Sequence, residues 1–335
     1  MLGIAEGGRC GQGNKPLLRR VLLIWTKRKL LCHHPTVFFI CVAIVMSLYA
    51  LDDDLLIYAA DAVELRSYRC SGCGSIVRVR KGRHRTAHFY HISSEPSCRL
   101  YSKSEDHLLA QLALQRALPL GETVMEKPFV SILRVGDLVW EPRRLVFEIQ
   151  CSLVSPAEVE RRVHDYSEVG YQVVWILDDR IFNRRYKLRA AERQLRQTAC
   201  YYATLRRSQM TPRFYDQFEV FHGEQRLGRG SKSTVHLNQP RILGNLSWND
   251  KEFPMQVLQR VNTRSLYFEG DLVHKALLAA AVPALAVSMR NLRALEILLS
   301  ASAEELGSPF KRWVRRYVLE SIGRIMLYLL ERAER

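Results

Sequence analysis

The sequence is short of acidic residues. It has 34 aspartates and glutamates against 50 lysines and arginines, which gives a formal net charge of +16 at pH 7. This imbalance indicates a polyanionic partner, with nucleic acid the first candidate and an anionic membrane surface the second. A basic surface that serves only solubility is the alternative. Because 47% of the 335 residues are hydrophobic, the chain can bury a sizeable core in two or three domains.

Long hydrophobic runs are also scarce. The nearly unbroken apolar run at residues 36–51 is 16 residues long, and a comfortable membrane span needs ~17–25. Three basic residues precede it at 27–29, as they would a membrane anchor or a signal sequence. No small-residue cleavage site follows, and stable membrane association is therefore not expected.

Met46 offers a second start point inside that run. The strands expected to follow it are residues 57–59 and 63–65. We therefore interpret residues 1–45 as a doubtful upstream extension, with a membrane anchor as the alternative. Peptides from residues 16–45 in a mass spectrum of the native protein would exclude the extension.

Cysteine is sparse, because eight in 335 residues are too few for a disulfide scaffold. Two of them form a Cys-x-x-Cys pair, and a His-x-x-His pair follows after a predicted hairpin that would bring the pairs together. The expected ligands of a structural zinc ion are Cys70, Cys73, His88 and His91, with Cys98 and His84 as substitutes. Such a site indicates a reducing compartment. The alternative is a pair of reactive or structural thiols near unrelated histidines.

The middle of the chain predicts the order helix, three strands, helix, strand. Ser102 and Glu105 form a capping-box pattern ahead of the first helix. The three strand-like runs are residues 123–130, 132–140 and 144–152. The second helix begins at Ser155-Pro156, Gly170 ends it, and residues 171–177 form a buried strand.

Three polar residues fall on the second and third of these strands. Glu148 and Gln150 are two residues apart, so they share one face of the third strand, and Asp137 lies on the second. An ionised carboxylate is costly in the apolar surroundings of Glu148 unless a metal ion compensates it. The alternatives are a strand-edge aspartate and the polar face of a half-exposed strand.

Magnesium would suit these residues, because it binds oxygen ligands and takes one or two carboxylates. Asp137 and Glu148 could supply them, with the backbone carbonyl of Ile149 as a further ligand. Such an ion would lower the pKa of a bound water. Gln150 carries no titrating proton, so we expect it to orient that water or, if the chain is the nuclease that the resemblance described next implies, to contact the scissile phosphate.

These motifs resemble the PD-(D/E)XK nuclease core, with glutamine in the usual lysine position, and more narrowly the competence protein CoiA family. The matching residues are Cys70, Cys73, His88, Phe89, His91, Ser104, His107, Asp137, Glu148–Ser152, Glu158, Arg162, Tyr166, Trp175 and Ile176. The resemblance covers residues 64–177, about a third of the chain. It implies a cytoplasmic protein that acts on DNA during uptake and recombination, together with recombination or DNA-uptake proteins.

Four further residues are candidates near this site. Glu105 resembles the additional carboxylate of some nucleases of this fold, although a capping partner of Ser102 is the commoner explanation for it. His107 is a weaker candidate for the same neighbourhood. Arg162 and Tyr166 lie one turn apart on the second helix and could contact a phosphate. Alternatively, they pair with Glu158 and pack at the surface.

Residues 180–213 are strongly basic. The expected nucleic-acid-binding residues are Arg184, Arg185, Lys187 and Arg189, interleaved with the aromatics Phe182, Tyr186, Tyr201 and Tyr202. Basic residues with aromatics for base stacking are typical of single-strand binding, so single-stranded DNA is the expected partner. A solvated amphipathic helix is the alternative.

Together these patterns predict an α/β protein in four parts. They are the doubtful residues 1–45, a β zinc-knuckle module at 46–101, a nuclease-like core at 102–180 and a basic, mainly helical region at 181–335. The predicted function is Mg²⁺-dependent (or Mn²⁺-dependent) cleavage of DNA. The alternative is a DNA-binding accessory protein that keeps the fold without turnover.

Overall fold

The computed structural model describes residues 46–53, 55–83, 85–93, 95, 98, 103–184, 187–205, 212–222, 225–244, 253–305 and the single positions 317, 321 and 328. The strands are β1 (Met46–Ser47), β2 (Tyr49–Asp52), β3 (Leu55–Tyr58), β4 (Ser67–Arg69), β5 (Ile76–Gly82), β6 (Arg85–His91), β7 (Thr123–Phe129), β8 (Arg134–Trp140), β9 (Leu145–Gln150), β10 (Gln172–Asp178), β11 (Ala199–Thr204), β12 (Arg213–His222), β13 (Gln225–Thr234), β14 (His236–Ile242) and β15 (Leu266–Glu269). The helices are α1 (Glu105–Ala117), α2 (Pro156–Glu168), α3 (Asp179–Phe182), α4 (Ala190–Leu195), α5 (Met255–Thr263), α6 (Leu272–Ala280) and α7 (Pro283–Glu305).

The first six strands form an antiparallel sheet in the order β1-β6-β5-β4-β2-β3. The predicted hairpin is present, because β5 pairs with β6. The strand expected at residues 63–65 is wrong. Leu65 has φ +65°, a left-handed backbone that ends extended structure, and its side chain is exposed.

The second sheet has seven strands in the order β13-β12-β11-β10-β9-β8-β7. Its elements α1, β7, β8, β9, α2 and β10 follow the predicted order. The strand β10 runs parallel to both β9 and β11, whereas the other pairs are antiparallel. Parallel neighbours need a crossover connection, and α2 provides it between β9 and β10.

Helices cover both faces of the second sheet, so β9 is buried along its whole length. Leu108 and Leu114 of α1 belong to the core cluster on the face that carries Phe147. Val159 and Tyr166 of α2 belong to the cluster on the opposite face. Because strand side chains alternate, the polar residues of β9 point to the α2 face of the sheet.

The expectation of a mainly helical region after residue 181 is wrong for the described residues 199–205, 212–222 and 225–242. There β11, β12 and β13 extend the second sheet, and β14 pairs with β15. The strands bury Tyr201, Phe214 and Phe218, and the many charged residues between them hid this pattern. The end of this region is helical in α6 and α7, whereas residues 306–335, apart from three single positions, lie outside the described residues.

In the described part of the chain, no helix is both long enough and apolar enough to cross a membrane.

Candidate active site and metal centres

Two acidic side chains lie where neighbouring strands of the second sheet separate. The last paired residues of β8 and β9 on this side are Leu138 and Phe147. The next residues outward are Asp137 and Glu148. Beyond them, the backbone N–H of Ile149 donates to Asp137 Oδ2 at 2.9 Å, so a side chain takes the place of the strand pairing.

Asp137 is buried in a cationic environment. Its Oδ1 lies 3.0 Å from Lys103 Nζ and 3.1 Å from His107 Nε2. Burial opposes ionisation, but His107 and Lys103 outweigh that effect and hold the pKa of Asp137 well below its usual range. The backbone carbonyl of Asp137 accepts a hydrogen bond of 2.5 Å from Gln111. Asp137 is therefore a fixed carboxylate at neutral pH.

Glu148 is also buried, at 2% exposure, and α2 supplies its partners. Tyr166 donates its hydroxyl to Glu148 Oε1 at 2.6 Å, and Arg162 donates to Oε2. Burial raises the pKa of Glu148; Arg162 opposes this effect, and the charge of Asp137 adds to it. The sequence predicted that Arg162 and Tyr166 would contact a phosphate, or would pair with Glu158 and pack at the surface. Arg162 does pair with Glu158, at 2.9 Å, whereas Tyr166 is buried. Both residues also bind the predicted metal ligand, Glu148.

Gln150 follows on the same face as Glu148. It is 7% exposed, and its amide donates to the carbonyl of Ser152 at 2.7 Å and to the Ser152 hydroxyl at 3.3 Å. The amide nitrogen is thus occupied, which leaves the carbonyl oxygen as the group that could accept a hydrogen bond from water.

A cavity of about 480 Å³ brings Asp137, Glu148 and Gln150 together. Its other polar lining residues are Lys103, Ser104, His107, Arg134, Cys151, Ser152, Glu158, Arg162 and Tyr166. A cavity with carboxylates at its base and basic groups around them can accommodate an anionic substrate beside a cation. Glu105 does not line it. Glu105 is the first residue of α1, which is capped by Ser104 rather than by Ser102.

The sequence-based prediction missed Lys103 and Arg134, which line this cavity, and Glu126, which contacts Lys103. Lys103 Nζ also lies 3.1 Å from Glu126, which is buried on β7. Glu126 in turn accepts a hydrogen bond of 2.5 Å from the Ser47 hydroxyl of β1. Lys103 could have been recognised from the sequence, because it directly precedes Ser104, the cap of α1, and lies near His107. Glu126 could not, because its role depends on pairing between strands.

The donor chemistry fits a magnesium ion. Asp137 and Glu148 offer hard carboxylate oxygens in one cavity, and such oxygens are the ligands that Mg²⁺ prefers. In the described residues, Lys103 and Arg162 compensate these two carboxylates, and His107 Nε2 lies 3.1 Å from Asp137. A divalent ion would take over part of that compensation.

A second cluster lies in the first sheet and could hold zinc. Its ligand atoms, from Cys70, Cys73, His91 and Cys98, all lie within 4.8 Å of one another. Cys70 Sγ is 3.6 Å from Cys98 Sγ, and Cys73 Sγ is 3.2 Å from His91 Nε2. The contact with Cys98 lowers the pKa of the Cys70 thiol to about 5, so a thiolate is available. Three thiols and one imidazole are a common tetrahedral zinc set.

His88 is not part of this cluster, which corrects the predicted ligand set. His88 and His91 are three residues apart on β6, and an odd spacing places side chains on opposite faces of a strand. His88 Nδ1 instead lies 2.7 Å from the carbonyl of Thr86. Cys98, considered only as a substitute, completes the cluster.

The nucleic-acid-binding residues predicted after residue 180 are only partly exposed. Arg184 and Lys187 are exposed and Arg189 is half-buried, whereas Arg185 and Tyr186 lie outside the described residues. Three of the aromatics expected to stack on bases belong to the core instead. They are Phe182, Tyr201 and Tyr202, at 2%, 0% and 6% exposure.

Two protein-family models match the chain, one in the region of each large sheet. Residues 103–240 match the family model described as competence protein CoiA, nuclease-like domain, and residues 58–101 match the one described as competence protein CoiA, N-terminal domain. Together the matches cover more than half of the chain. No curated protein and no solved structure matches it.

Proposed function

Because the chain belongs to the competence protein CoiA family, we propose that it is a metal-dependent deoxyribonuclease that processes DNA during uptake and recombination. The observation that carries this proposal is the pair of buried carboxylates, Asp137 and Glu148, at the separation of β8 and β9. They line one cavity together with basic side chains.

The fold that we propose for this part is the PD-(D/E)XK nuclease core. The element order from α1 to β10 supports it, as does the placement of an aspartate and a Glu-x-Gln motif on adjacent strands. The usual lysine is replaced by Gln150. We propose that Lys103, whose Nζ lies 3.0 Å from Asp137, supplies a positive charge at the site from the start of α1.

The residues that line the carboxylate cavity would have different roles in the cleavage reaction. A bound Mg²⁺ or Mn²⁺ would polarise the phosphate and lower the pKa of an attacking water. Asp137 and Glu148 would hold the ion, with the Ile149 carbonyl as a further ligand. Arg162 and Tyr166 orient Glu148, and Gln150 positions water through its carbonyl oxygen.

The substrate that we propose is single-stranded DNA, bound along the basic surface that includes Arg184 and Lys187, both exposed. In this proposal the zinc module at 46–101 stabilises the structure. The core at 102–180 cleaves the DNA, and the basic region at 181–335 binds it. The zinc-type thiol cluster favours the reducing cytoplasm. Recombination or DNA-uptake proteins are the proposed partners.

A cleavage assay tests this proposal. Labelled single-stranded, double-stranded and branched DNA would be incubated with the full chain and Mg²⁺ or Mn²⁺. We expect Asp137→Asn and Glu148→Gln to lose cleavage by a hundredfold or more, whereas Glu160→Gln, an exposed position on α2, cuts like the wild type. Equal cutting by all four proteins would overturn the assignment of the site.

A DNA-binding accessory role without turnover is the second candidate. The observation that favours it is the presence of glutamine at position 150. Its amide cannot act as a proton donor or acceptor in catalysis, and its nitrogen already donates a hydrogen bond to Ser152. Under this alternative the wild type binds DNA and cuts none of the three substrates with either metal.

A further inference from the structure

A second cavity, of about 230 Å³, lies between the end of α4 and helix α5. It shares no lining residue with the carboxylate cavity. Four arginines line it, with glutamine side chains between them. They are Arg193, Arg196, Arg260 and Arg264. Such a density of guanidinium groups in one small cavity is costly unless anions compensate it.

The carboxylates of the described residues do not provide full compensation. Arg196 and Arg226 share Glu219, and Arg260 binds Asp216 Oδ1 at 2.7 Å. No carboxylate of the described residues forms an ion pair with Arg264. Its side-chain contacts there are Cys200 Sγ at 3.7 Å and the face of the Tyr201 ring.

A further carboxylate, which acts on Arg264 electrostatically, is bound to other groups. Asp271 caps α6, because its Oδ1 accepts hydrogen bonds from the backbone N–H groups of Val273 and His274 at 2.9 Å. Its Oδ2 accepts from the Tyr201 hydroxyl at 2.8 Å and from the Phe268 N–H at 3.0 Å. The carboxylate oxygens of Asp271 are therefore occupied by these hydrogen bonds and do not compensate the arginines of the cavity.

Two of the arginines also carry unused donors. Arg260 and Arg264 are each 7% exposed. The Nε and Nη1 atoms of both have no hydrogen-bond partner among the described residues. Buried charged donors without partners cost free energy, and both side chains line the cavity. The missing partner is therefore an acceptor that several planar guanidinium groups can bind at once.

We propose that this cavity binds a phosphoryl group. Phosphate oxygens match the paired N–H donors of arginine, and charge-assisted bonds of this kind are the strong ones. The cavity has room for one phosphoryl group with part of its sugar and none for a duplex. The group therefore comes from a strand terminus or from a free nucleotide or phosphate. This inference goes beyond the nuclease proposal and does not depend on it.

Calorimetry and ³¹P NMR on the full chain, without divalent metal, test the site with inorganic phosphate as the probe. We expect one phosphate per chain, and Arg264→Gln to weaken its binding about tenfold or more. Arg193→Gln, at the exposed rim, should weaken it as well, which keeps the test valid if the first variant folds poorly. Arg241→Gln, an exposed arginine on β14 with no place in this cavity, is the matched control.

Two oligonucleotides identify the source of the phosphoryl group. If 5′-phosphorylated oligo(dT) binds more tightly than its 5′-hydroxyl form, and Arg264→Gln abolishes the difference, the ligand is a strand terminus. If phosphate binds in an Arg264-dependent way and the two oligonucleotides do not differ, the ligand is a small phosphate compound. The proposal fails if wild type binds no phosphate, or if both cavity variants bind it as wild type does.

Discussion

At the scale of single residues, the carboxylate cavity depends on a lysine that serves two acids. Lys103 is 8% exposed and lies 3.0 Å from Asp137 and 3.1 Å from Glu126. Both acids hold the pKa of Lys103 above its ordinary value despite its burial. Removing one member of a buried ion pair leaves the other charge uncompensated, which costs more than the pair itself contributes.

Lys103→Met should therefore destabilise the protein by about 3–5 kcal/mol, measured by urea unfolding at neutral pH. The matched control is Lys127→Met. Lys127 pairs with Glu141 at the surface, and we expect a loss below about 1 kcal/mol there. Similar losses for the two variants would mean that Lys103 is not an essential counter-charge.

The residues of this cavity differ in how visible they are in the sequence. Asp137, Glu148 and Gln150 were identified from their positions on predicted strands, because the two-residue period of a strand is a local property. Lys103 and Glu126 meet only through the pairing of separate elements. No periodicity in the chain records that contact.

At the scale of elements, Arg134 fastens α2 to β8 by pairing with two carboxylates of the helix, Glu158 and Asp165. Glu158 Oε1 lies 2.7 Å from Arg134 of β8 and 2.9 Å from Arg162 one turn along the helix. Burial raises the pKa of Glu158, but hydrogen bonds from Arg162, Arg134 and Arg161 lower it to about 2. Because the pKa is lower in the folded state, the ionised form stabilises the fold.

Glu158→Gln should cost about 1 kcal/mol at pH 7, since the group is partly exposed. The contribution is complete above the unfolded pKa of about 4.3 and is lost as the pH falls toward 2. The difference between wild type and variant should therefore shrink between pH 4.5 and pH 2. Urea unfolding across this range measures it, and a difference independent of pH would contradict the assignment. Glu160→Gln on the same helix is the control.

The zinc-type cluster gives a second test at this scale. We expect Cys98→Ser to lose most of the zinc bound by the purified protein, because it removes a member of the cluster. His88→Ala should keep one zinc per chain. Elemental analysis of both variants decides the matter, and the reverse pattern would restore the ligand set predicted from the sequence.

Elements were predictable where the pattern was local and strong. The caps at Ser155 and Gly170 and the apolar run before Asp178 determined α2 and β10 without tertiary information. The strand β13 was missed because Arg226, Arg229 and Lys232 interrupt its alternation. The strands β11 and β12 were missed because the segment was interpreted by the basic residues around them. Some of those arginines are buried through ion pairs such as Arg226 with Glu219, which composition alone cannot reveal.

At the scale of the whole molecule, the net charge of +16 governs any encounter with DNA. Binding to a polyanion releases counterions, so the affinity falls steeply with salt. Joint replacement of Arg184 and Lys187 by glutamine should lower the slope of log K against log salt by about 1.4 for single strands. Fluorescence anisotropy between 50 and 200 mM salt would measure this change, with exposed Arg116→Gln as the control. An unchanged slope in the double variant would exclude these residues from the binding surface.

The bonds from Ser47 to Glu126, from Glu126 to Lys103 and from Lys103 to Asp137 also have a consequence in time. They join residues that are far apart in the chain, and closing such long loops is slow compared with forming a helix or a hairpin. Glu148 must further wait for α2 to be synthesised and to dock. The cavity therefore matures after the helix and hairpins that surround it have formed, and a nascent chain from which α2 has not yet emerged has no complete site.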